Sequence, residues 1–291
     1  MVQVTVIGSV SMDLVVTADK RPLAGETILG HSFETVPGGK GANQAVAASR
    51  LGAKAVMIGR VGDDVYGGAI LENLRKNGVS TQYVEPVTDC ASGTAHITLA
   101  EGDNSIIFVK GANDFVTPAY VEKAKEAIRT ADIVLIQHEI PPETVEYAAT
   151  ICEKYDVPLV LNPAPARQIP KEVTEKAAFL TPNEHECKVL FEGMSRTDAL
   201  KRYPNKLIIT EGENGARYFD GSEEKVVPSF PAETVDTTGA GDTFNAAFAV
   251  AVAEGKEIGE ALRFANRAAS LSVTKFGAQG GMPTREEVEG Q

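Results

Sequence analysis

The sequence contains no tryptophan, only 6% aromatic residues and only three cysteines among its 291 residues. Cys90, Cys152 and Cys187 are odd in number, lie far apart and form no CxxC pair. Neither a disulfide framework nor a zinc site is therefore predicted, and a reducing, cytoplasmic environment suits such a chain.

Basic residues are in deficit, because 28 lysines and arginines stand against 40 acidic residues and leave a net charge of −12. A chain this acidic, without a basic stretch, is not expected to bind nucleic acid or an anionic membrane. The apolar run at Val4 to Ile7 is too short for a signal or a membrane span and predicts a first core strand. Any bound phosphate must be held by local groups rather than by the overall field.

Several catalytic motifs are missing. The sequence has no GxxxxGK[ST] run, no nucleophile elbow and no pair of histidines at metal-ligand spacing, and its four histidines are isolated. A P-loop mechanism is therefore excluded at the level of sequence, and no catalytic histidine is predicted.

Strand-like apolar runs alternate with helical patterns along most of the chain. This alternation predicts a three-layer α/β/α domain with a mostly parallel central sheet, built as one unit from residues 1–291. Ligands are then expected at the carboxyl ends of the strands. The predicted strands are 4–7, 55–58, 133–136, 158–161, 179–180 and 207–210, and the predicted helices are 44–51, 67–77, 118–129 and 142–155.

Three segments interrupt this alternation, at about residues 10–17, 27–36 and 94–110. Each is short and β-prone and alternates apolar with polar residues, and the third contains a turn at Gly102-Asp103-Asn104. These segments predict a small sheet that stands off the main domain, with an ordinary extension of the sheet edge as the plainer alternative.

The run DTTGAGD, residues 236–242, leads directly into an apolar helical pattern. Its glycines let backbone N–H groups converge at the positive end of the helix, where a phosphate can bind. Asp242 would lie beside that phosphate and accept the proton of an attacking hydroxyl. A helix cap alone would explain Asp242 but neither the glycines nor Asp236. The predicted catalytic residues are Gly239, Ala240, Gly241 and Asp242.

A second glycine-rich turn, GGKGANQAVAA at residues 38–48, also runs into a helical pattern. Together the two loops resemble the paired signatures of the ribokinase-like family of sugar and nucleoside kinases. The resemblance extends to GSVSMD at 8–13, NPAPA at 162–166, TPNEHE at 181–186 and KFGAQ at 275–279, and so spans almost the whole chain. It implies that the small sheet is a lid over a sugar and often the contact of a homodimer.

The resemblance implies a sugar site and an ATP site. A carboxylate and an amide that grip neighbouring hydroxyls discriminate between sugars better than an apolar wall does. Ser11 departs from the asparagine common in the family, which puts one hydroxyl contact in doubt. The implied sugar residues are Ser11, Asp13, Gly39, Lys40, Asn43, Glu139 and Asp242. The implied nucleotide residues are Asn183, Glu186, Thr210, Gly212, Gly239, Ala240, Gly241 and Asn266.

The resemblance also implies two cations. Asn183 and Glu186 form the family's Asn-x-x-Glu pair, which would organise the water shell of Mg²⁺. A K⁺ ion would be held mostly by backbone carbonyls beside the anion-binding loop, where Asp236 offers the one suitable charge. The implied K⁺ positions are Asp236, Thr238, Ser272, Lys275, Gly277 and Gly281.

The expected activity is ATP-dependent phosphorylation of a pentose, with D-ribose at O5 as the first candidate acceptor. Deoxyribose, fructose and adenosine are alternatives, although the lack of tryptophan gives a bulky nucleoside little aromatic surface on which to stack. A catalytically silent sugar-binding regulator on the same fold is the alternative from another class. The uninterrupted loop with both Asp236 and Asp242 speaks against that alternative.

Overall fold

The computed structural model describes residues 1–290 and contains a central sheet of six parallel strands. The order across the sheet is β10-β9-β8-β1-β4-β5. The strands are β1 (Gln3–Ile7), β4 (Lys54–Gly62), β5 (Ser80–Val87), β8 (Ile133–Ile136), β9 (Leu159–Leu161) and β10 (Phe179–Leu180). The predicted parallel sheet is thus confirmed.

Helices cover both faces of this sheet. On one face pack α1 (Lys40–Arg50), α2 (Val65–Lys76), α9 (Ala240–Ala253), α10 (Ile258–Ser272) and α11 (Arg285–Glu289). On the other face pack α3 (Pro118–Lys123), α4 (Lys125–Arg129), α5 (Pro142–Lys154), α6 (Lys171–Lys176), α7 (Glu184–Leu190) and α8 (Arg196–Arg202). Val6 and Ile7 are neighbours in β1 and belong to the two opposite cores, as expected when side chains alternate across a sheet buried on both faces.

The last predicted core strand lies in a separate small sheet. Strand β11 (Ile208–Thr210) pairs with β12 (Ala216–Phe219), which pairs with β13 (Glu224–Val227), and both pairs are antiparallel. Two isolated parallel bridges, from Leu180 to Leu207 and from Asn183 to Thr210, join the chain around β11 to the chain around β10. Strand β10 has only two residues and cannot support a longer ladder.

A four-stranded sheet of order β3-β2-β6-β7 stands off the main domain. It consists of β2 (Ser11–Thr17), β3 (Ser32–Gly38), β6 (Gly93–Ala100) and β7 (Asp103–Val109), and it is called the lid below. Residues 27–31, predicted as part of this sheet, are irregular, and β3 begins at Ser32. The hairpin turn lies at Glu101-Gly102, because Asp103 already pairs with Ala100.

The three cysteines are free, as the sequence indicated. Within residues 1–290, no helix combines the length and the apolar character that a bilayer crossing requires.

Candidate active site

Two adjoining clefts lie at the carboxyl edge of the parallel sheet. The larger cleft, of about 980 Å³, is bordered by the starts of α7 and α9, the turn after β11, and α10. The smaller, of about 510 Å³, lies between the lid and residues 234–238 and 276–278, and is called the lid cleft below. Thr234 and Thr237 line both clefts, so ligands bound in the two clefts would meet at this loop.

Asp242 lies in the first turn of α9, beside the large cleft. Gly239 precedes the helix with φ +81°. The Ala240 N–H donates to the Thr237 carbonyl at 3.2 Å, whereas the N–H groups of Gly241 and Asp242 belong to the first helical turn and have no intrahelical partner. The Asp242 side chain is buried, and its two oxygens accept hydrogen bonds from Asn43 Nδ2 at 2.9 Å and Gln44 Nε2 at 3.1 Å. A buried carboxylate therefore lies next to a set of N–H groups that can receive an anion.

Burial raises the pKa of the Asp242 carboxyl above its usual range, and the nearby Glu139 carboxylate raises it further. The Lys40 ammonium and the amide donors of Asn43 and Gln44 act in the opposite direction. Burial dominates, so the pKa of this carboxylate lies nearer neutrality than that of an exposed aspartate, which suits a group that must accept a proton.

The first glycine loop carries Lys40 and brings α1 against Glu139. The Lys40 backbone N–H donates to Glu139 Oε2 at 3.1 Å, and Lys40 Nζ lies 3.8 Å from Glu139 Oε1. Burial by itself lowers the pKa of Lys40, but the carboxylates of Asp242, Glu139 and Glu186 outweigh it and raise the pKa. Lys40 lines the large cleft while its ammonium stays next to Glu139, another of the predicted sugar residues. Its assignment to the sugar site remains a prediction.

Asp13 lies on the lid and lines the lid cleft. Ser11 Oγ donates to Asp13 Oδ1 at 3.2 Å, so the residue that departs from the family pattern contacts the predicted sugar carboxylate. Burial raises the pKa of Asp13 to about 6; the Ser11 hydrogen bond and Lys40 lower it, while Glu139 and Asp242 raise it. Four charged side chains thus converge between the two clefts.

The predicted nucleotide residues all line the large cleft. Asn183 and Glu186 form a capping box at the start of α7, because each side chain accepts the backbone N–H of the other at 2.8 Å. Asn266 Nδ2 donates to the carbonyls of Val227 and Pro228, which fixes the chain that follows β13. Thr210 and Gly212 lie at the end of β11 and the turn after it.

The predicted K⁺ positions fall on two adjacent loops. Asp236 accepts the N–H groups of Thr238 and Gly277, each at 2.9 Å, and so ties the DTTGAGD run to the turn after α10. A Cβ on Gly281 would lie 1.9 Å from the Ser272 carbonyl oxygen, so glycine lets these segments meet closely. The Lys275 side chain points away, with its ammonium 3.8 Å from Glu287 Oε1. Within residues 1–290, no three histidine, cysteine or acidic side chains cluster as a metal site.

Sequence reasoning missed several amides that hold the site together. Gln44 bridges Asp242 and Asn162, with Nε2 at 3.1 Å from an oxygen of each, and its Oε1 accepts from Gln137 at 2.6 Å. Asn43, predicted to grip a sugar hydroxyl, uses its amide between Asp242 and Gln279. Asn162 and Gln279 belong to the family motifs, which gave a signal, whereas Gln137 gave none.

This arrangement can transfer a phosphoryl group to an alcohol. The N–H groups at the start of α9 and the Lys40 ammonium can stabilise negative charge on the group in transfer, and Asp242 can take the proton of the hydroxyl. The lid cleft is lined by Asp13, whose carboxylate accepts a hydrogen bond from the buried Ser11, and it offers a hydroxyl-binding group on the acceptor side.

Known proteins resemble this chain over its whole length. A family model described as pfkB family carbohydrate kinase matches residues 1–285. A Bacillus subtilis ribokinase is 67% identical over 98% of each chain, and a Lactococcus lactis ribokinase is 47% identical over 99% of this chain and 96% of its own. The structure of Arabidopsis thaliana ribokinase complexed with ribose and ATP superposes with a TM-score of 0.91, at 36% identity, over 100% of this chain and 98% of that one.

Proposed function

The chain belongs to the pfkB family of carbohydrate kinases, and from that premise we propose that it acts as a ribokinase, transferring the γ-phosphoryl group of ATP to O5 of D-ribose. The observation that carries the proposal is the buried Asp242 at the N-terminus of α9, at the edge of the large cleft and electrostatically coupled to Asp13 in the lid cleft. ATP would occupy the large cleft and ribose the lid cleft.

In this mechanism Asp242 accepts the proton of the O5 hydroxyl as that oxygen attacks the γ-phosphorus, and ADP leaves. The N–H groups of residues 239–242 stabilise charge on the transferring group. Lys40 adds a positive charge on the same side. Asp13, Ser11 and Glu139 bind ribose hydroxyls and orient O5 towards Asp242.

Asn183 and Glu186 suit the water shell of Mg²⁺ rather than direct contact with the ion. Both side chains already accept a backbone N–H in the capping box, so the Glu186 carboxylate is held in place at the cleft wall. Burial raises its pKa, and the Lys40 ammonium counteracts that effect. Mg²⁺ retains several waters, and when bound it would neutralise charge on the outer phosphates of ATP.

The Asp236 loop and the turn after α10 fit a K⁺ ion. The donor set is one carboxylate with backbone carbonyls such as that of Ser272, and oxygen donors of this kind are those that hard cations prefer. The ion would sit against the loop that carries the anion-binding N–H groups. Turnover should be faster in K⁺ than in Na⁺ or a bulky organic cation at matched ionic strength, and equal rates in all three would remove K⁺ from the proposal.

The lid is the proposed homodimer contact. Its pairing register places Asp13, Val15 and Ile97 on the face that lines the lid cleft, while Phe33 and Ile107 lie on the opposite face and are 61% and 70% exposed. An apolar patch of this kind suits a second copy of the chain. Light scattering should give twice the chain mass, and Ile107→Glu should give the single mass. A monomeric parent would contradict the contact.

The acceptor is tested with ATP and a panel of D-ribose, 2-deoxyribose, fructose and adenosine, with ADP release as the rate and ³¹P NMR of the product to locate the phosphate. D-Ribose should give the highest kcat/KM and a 5-phosphate, and 5-deoxyribose should not react. A higher kcat/KM for another acceptor would assign the enzyme to that substrate. ATP turnover absent with every acceptor would favour the silent regulator.

A further inference from the structure

Gln279 lies in the turn after α10 and is buried, although it lines neither cleft. Its side chain reaches between α1 and α2. Nε2 donates to Asn43 Oδ1 at 3.0 Å, and Oε1 accepts from Asn73 Nδ2 at 2.7 Å. Its backbone carbonyl accepts from Arg50 Nη1 at 2.6 Å, which anchors the turn to α1.

These contacts belong to a longer series of hydrogen bonds that all run in one direction, called the amide chain below. It begins at Arg50, whose Nε donates to Asn77 Oδ1 at 3.0 Å, and it ends at the Asp242 carboxylate. The intermediate bonds run from Asn77 Nδ2 to Asn73 Oδ1 at 3.3 Å, from Asn73 Nδ2 to Gln279 Oε1 at 2.7 Å, from Gln279 Nε2 to Asn43 Oδ1 at 3.0 Å, and from Asn43 Nδ2 to Asp242 Oδ2 at 2.9 Å.

The chemistry of the two ends fixes this direction. A guanidinium can only donate, so Asn77 must present its oxygen to Arg50, and each following amide must present its oxygen to the donor before it. An ionised carboxylate can only accept, which agrees with the NH₂ group that Asn43 presents to Asp242. Reversal of one amide would place two oxygens or two NH₂ groups against each other away from bulk water and would leave both polar groups unsatisfied.

We propose that Gln279 is a positioning residue for phosphoryl transfer, the link in the amide chain that keeps the NH₂ group of Asn43 directed at Asp242. This inference rests on the proposed role of Asp242 as the base. The other donor to Asp242, Gln44, depends on Gln137, whose Oε1 is buried without a hydrogen-bond partner within residues 1–290. Of these two hydrogen-bonded routes to Asp242 within residues 1–290, the amide chain through Gln279 is therefore the one that begins at a cation.

The protonation state of Asp242 reports on the amide chain. The charged groups that face this carboxylate are Lys40 and Glu139, with Asp13 and Glu186 also coupled to it. Burial raises its pKa, and the Asn43 hydrogen bond lowers it. If the Asn43 amide turned its oxygen to Asp242, that lowering would be lost and the pKa would rise further.

The first test is Gln279→Glu. A carboxylate at this position still accepts from Asn73 but cannot donate to Asn43. We expect the acid limb of the kcat–pH profile to move up by about one pH unit, so that kcat falls about tenfold at a pH on that limb and less on the plateau, and KM for both substrates to stay within about twofold. Met282→Leu is the matched control, since it alters packing in the same turn without a bond in the amide chain; its pH profile should coincide with that of the parent.

The second test is Asn73→Asp, a change two links from Asn43 and outside both clefts. It removes the donor to Gln279, so Gln279 should turn over, and the acid limb should move in the same direction as in Gln279→Glu. Because both substitutions act through the amide chain, the acid limb of the double variant should move by less than the sum of its movements in the two single variants. Additive shifts, or a lowered Tm with an unmoved acid limb in both variants, would overturn the proposal.

A readout independent of turnover separates this inference from the proposed function. The ¹³C resonance of the Asp242 carboxyl, assigned by its loss in Asp242→Asn, can be titrated without substrate. Gln279→Glu should raise the pKa of Asp242 in that titration even if the preferred acceptor is not ribose. An unchanged titration in an active enzyme would reject the amide chain and leave the kinase assignment intact.

Discussion

The two glycine loops resemble each other in sequence but differ in what surrounds the glycine at the second position of the helix that each loop enters. In the first loop, a Cβ on Gly41 would lie 2.7 Å from both the backbone nitrogen and the backbone oxygen of Ser9. In the second loop, a Cβ on Gly241 would meet nothing within 4 Å and would point into open space at the large cleft. The glycine at 41 is therefore required by the folded chain itself, whereas the one at 241 leaves room for something else.

This difference indicates that the two loops have different structural roles. The first loop presses α1 onto the end of β1 and so places Asn43 and Gln44 against Asp242. The second loop stays open at the start of α9, where its N–H groups and Asp242 can meet a phosphate. The first loop therefore positions side chains around Asp242, and the second leaves space for the phosphate of the proposed ATP site.

The largest expected effect concerns the second glycine loop, which is called the open loop below. Asp242→Asn should lower kcat by at least about a hundredfold, or about 2.7 kcal/mol in activation free energy, because it removes the base. Stability and ATP affinity should stay close to those of the parent, which thermal unfolding and nucleotide titration would show. Turnover within a few-fold of the parent would mean that the open loop holds no base.

In the first glycine loop, called the closed loop below, Gly41→Ala should chiefly lower the stability of the folded protein. The added methyl has to displace the backbone at Ser9, so we expect a loss of about 2 kcal/mol in the free energy of unfolding, measured by urea denaturation. Gly68→Ala is the control, because a Cβ at this α2 position meets nothing within 4 Å and should stabilise the protein by about 0.4–1 kcal/mol. Equal stabilities for the two variants would erase the contrast between the loops.

Sequence patterns could predict the parallel sheet, most helices and the glycine loops that lead to Lys40 and Asp242, because these follow from local periodicity and glycine spacing, whereas Asp13 was implied by the family resemblance. They could not assign β11 to a separate sheet, since its neighbours are decided by the two-residue length of β10. They also could not find Gln137, whose side chain meets Gln44 from a position 93 residues away. The roles of the predicted site residues remain predictions.

The third effect tests the open loop without touching its base. Gly241→Ala leaves an unstrained helical position, so the fold should be as stable as the parent or slightly more stable. The methyl occupies space where the phosphate is expected to bind, and we expect kcat/KM for ATP to fall about tenfold, or about 1.4 kcal/mol. If steady-state kinetics gave the parent value, the open space at Gly241 would have another use.

The smallest expected effect comes from the packing of Asp13 against Gly38, which ends lid strand β3 and begins the first glycine loop. A Cβ on Gly38 would lie 2.4 Å from Asp13 Oδ2, so this carboxylate is pressed against the loop, and burial raises its pKa from 3.8 to about 6. Below pH 3.8 Asp13 is protonated in both the folded and the unfolded chain. As the pH rises through 6, the folded chain must carry a poorly solvated charge, so stability is lost with rising pH.

Asp13→Asn removes that charge, so the variant should gain stability relative to the parent as the pH rises from 5 to 8. Over the whole range from below pH 3.8 to above pH 6 the shift in pKa corresponds to at most about 3 kcal/mol, of which about 1.4 kcal/mol falls between pH 5 and 8; screening by water in the lid cleft should leave a change of at most about 1 kcal/mol. Urea denaturation of the ligand-free proteins at the two pH values measures this change in stability.

Ser11→Ala keeps the Asp13 carboxylate but removes a hydrogen bond that lowers its pKa. The stability of this variant should change in the opposite direction and fall relative to the parent as the pH rises. A stability difference between Asp13→Asn and the parent that is independent of pH would show that the packing against Gly38 does not strain the charge.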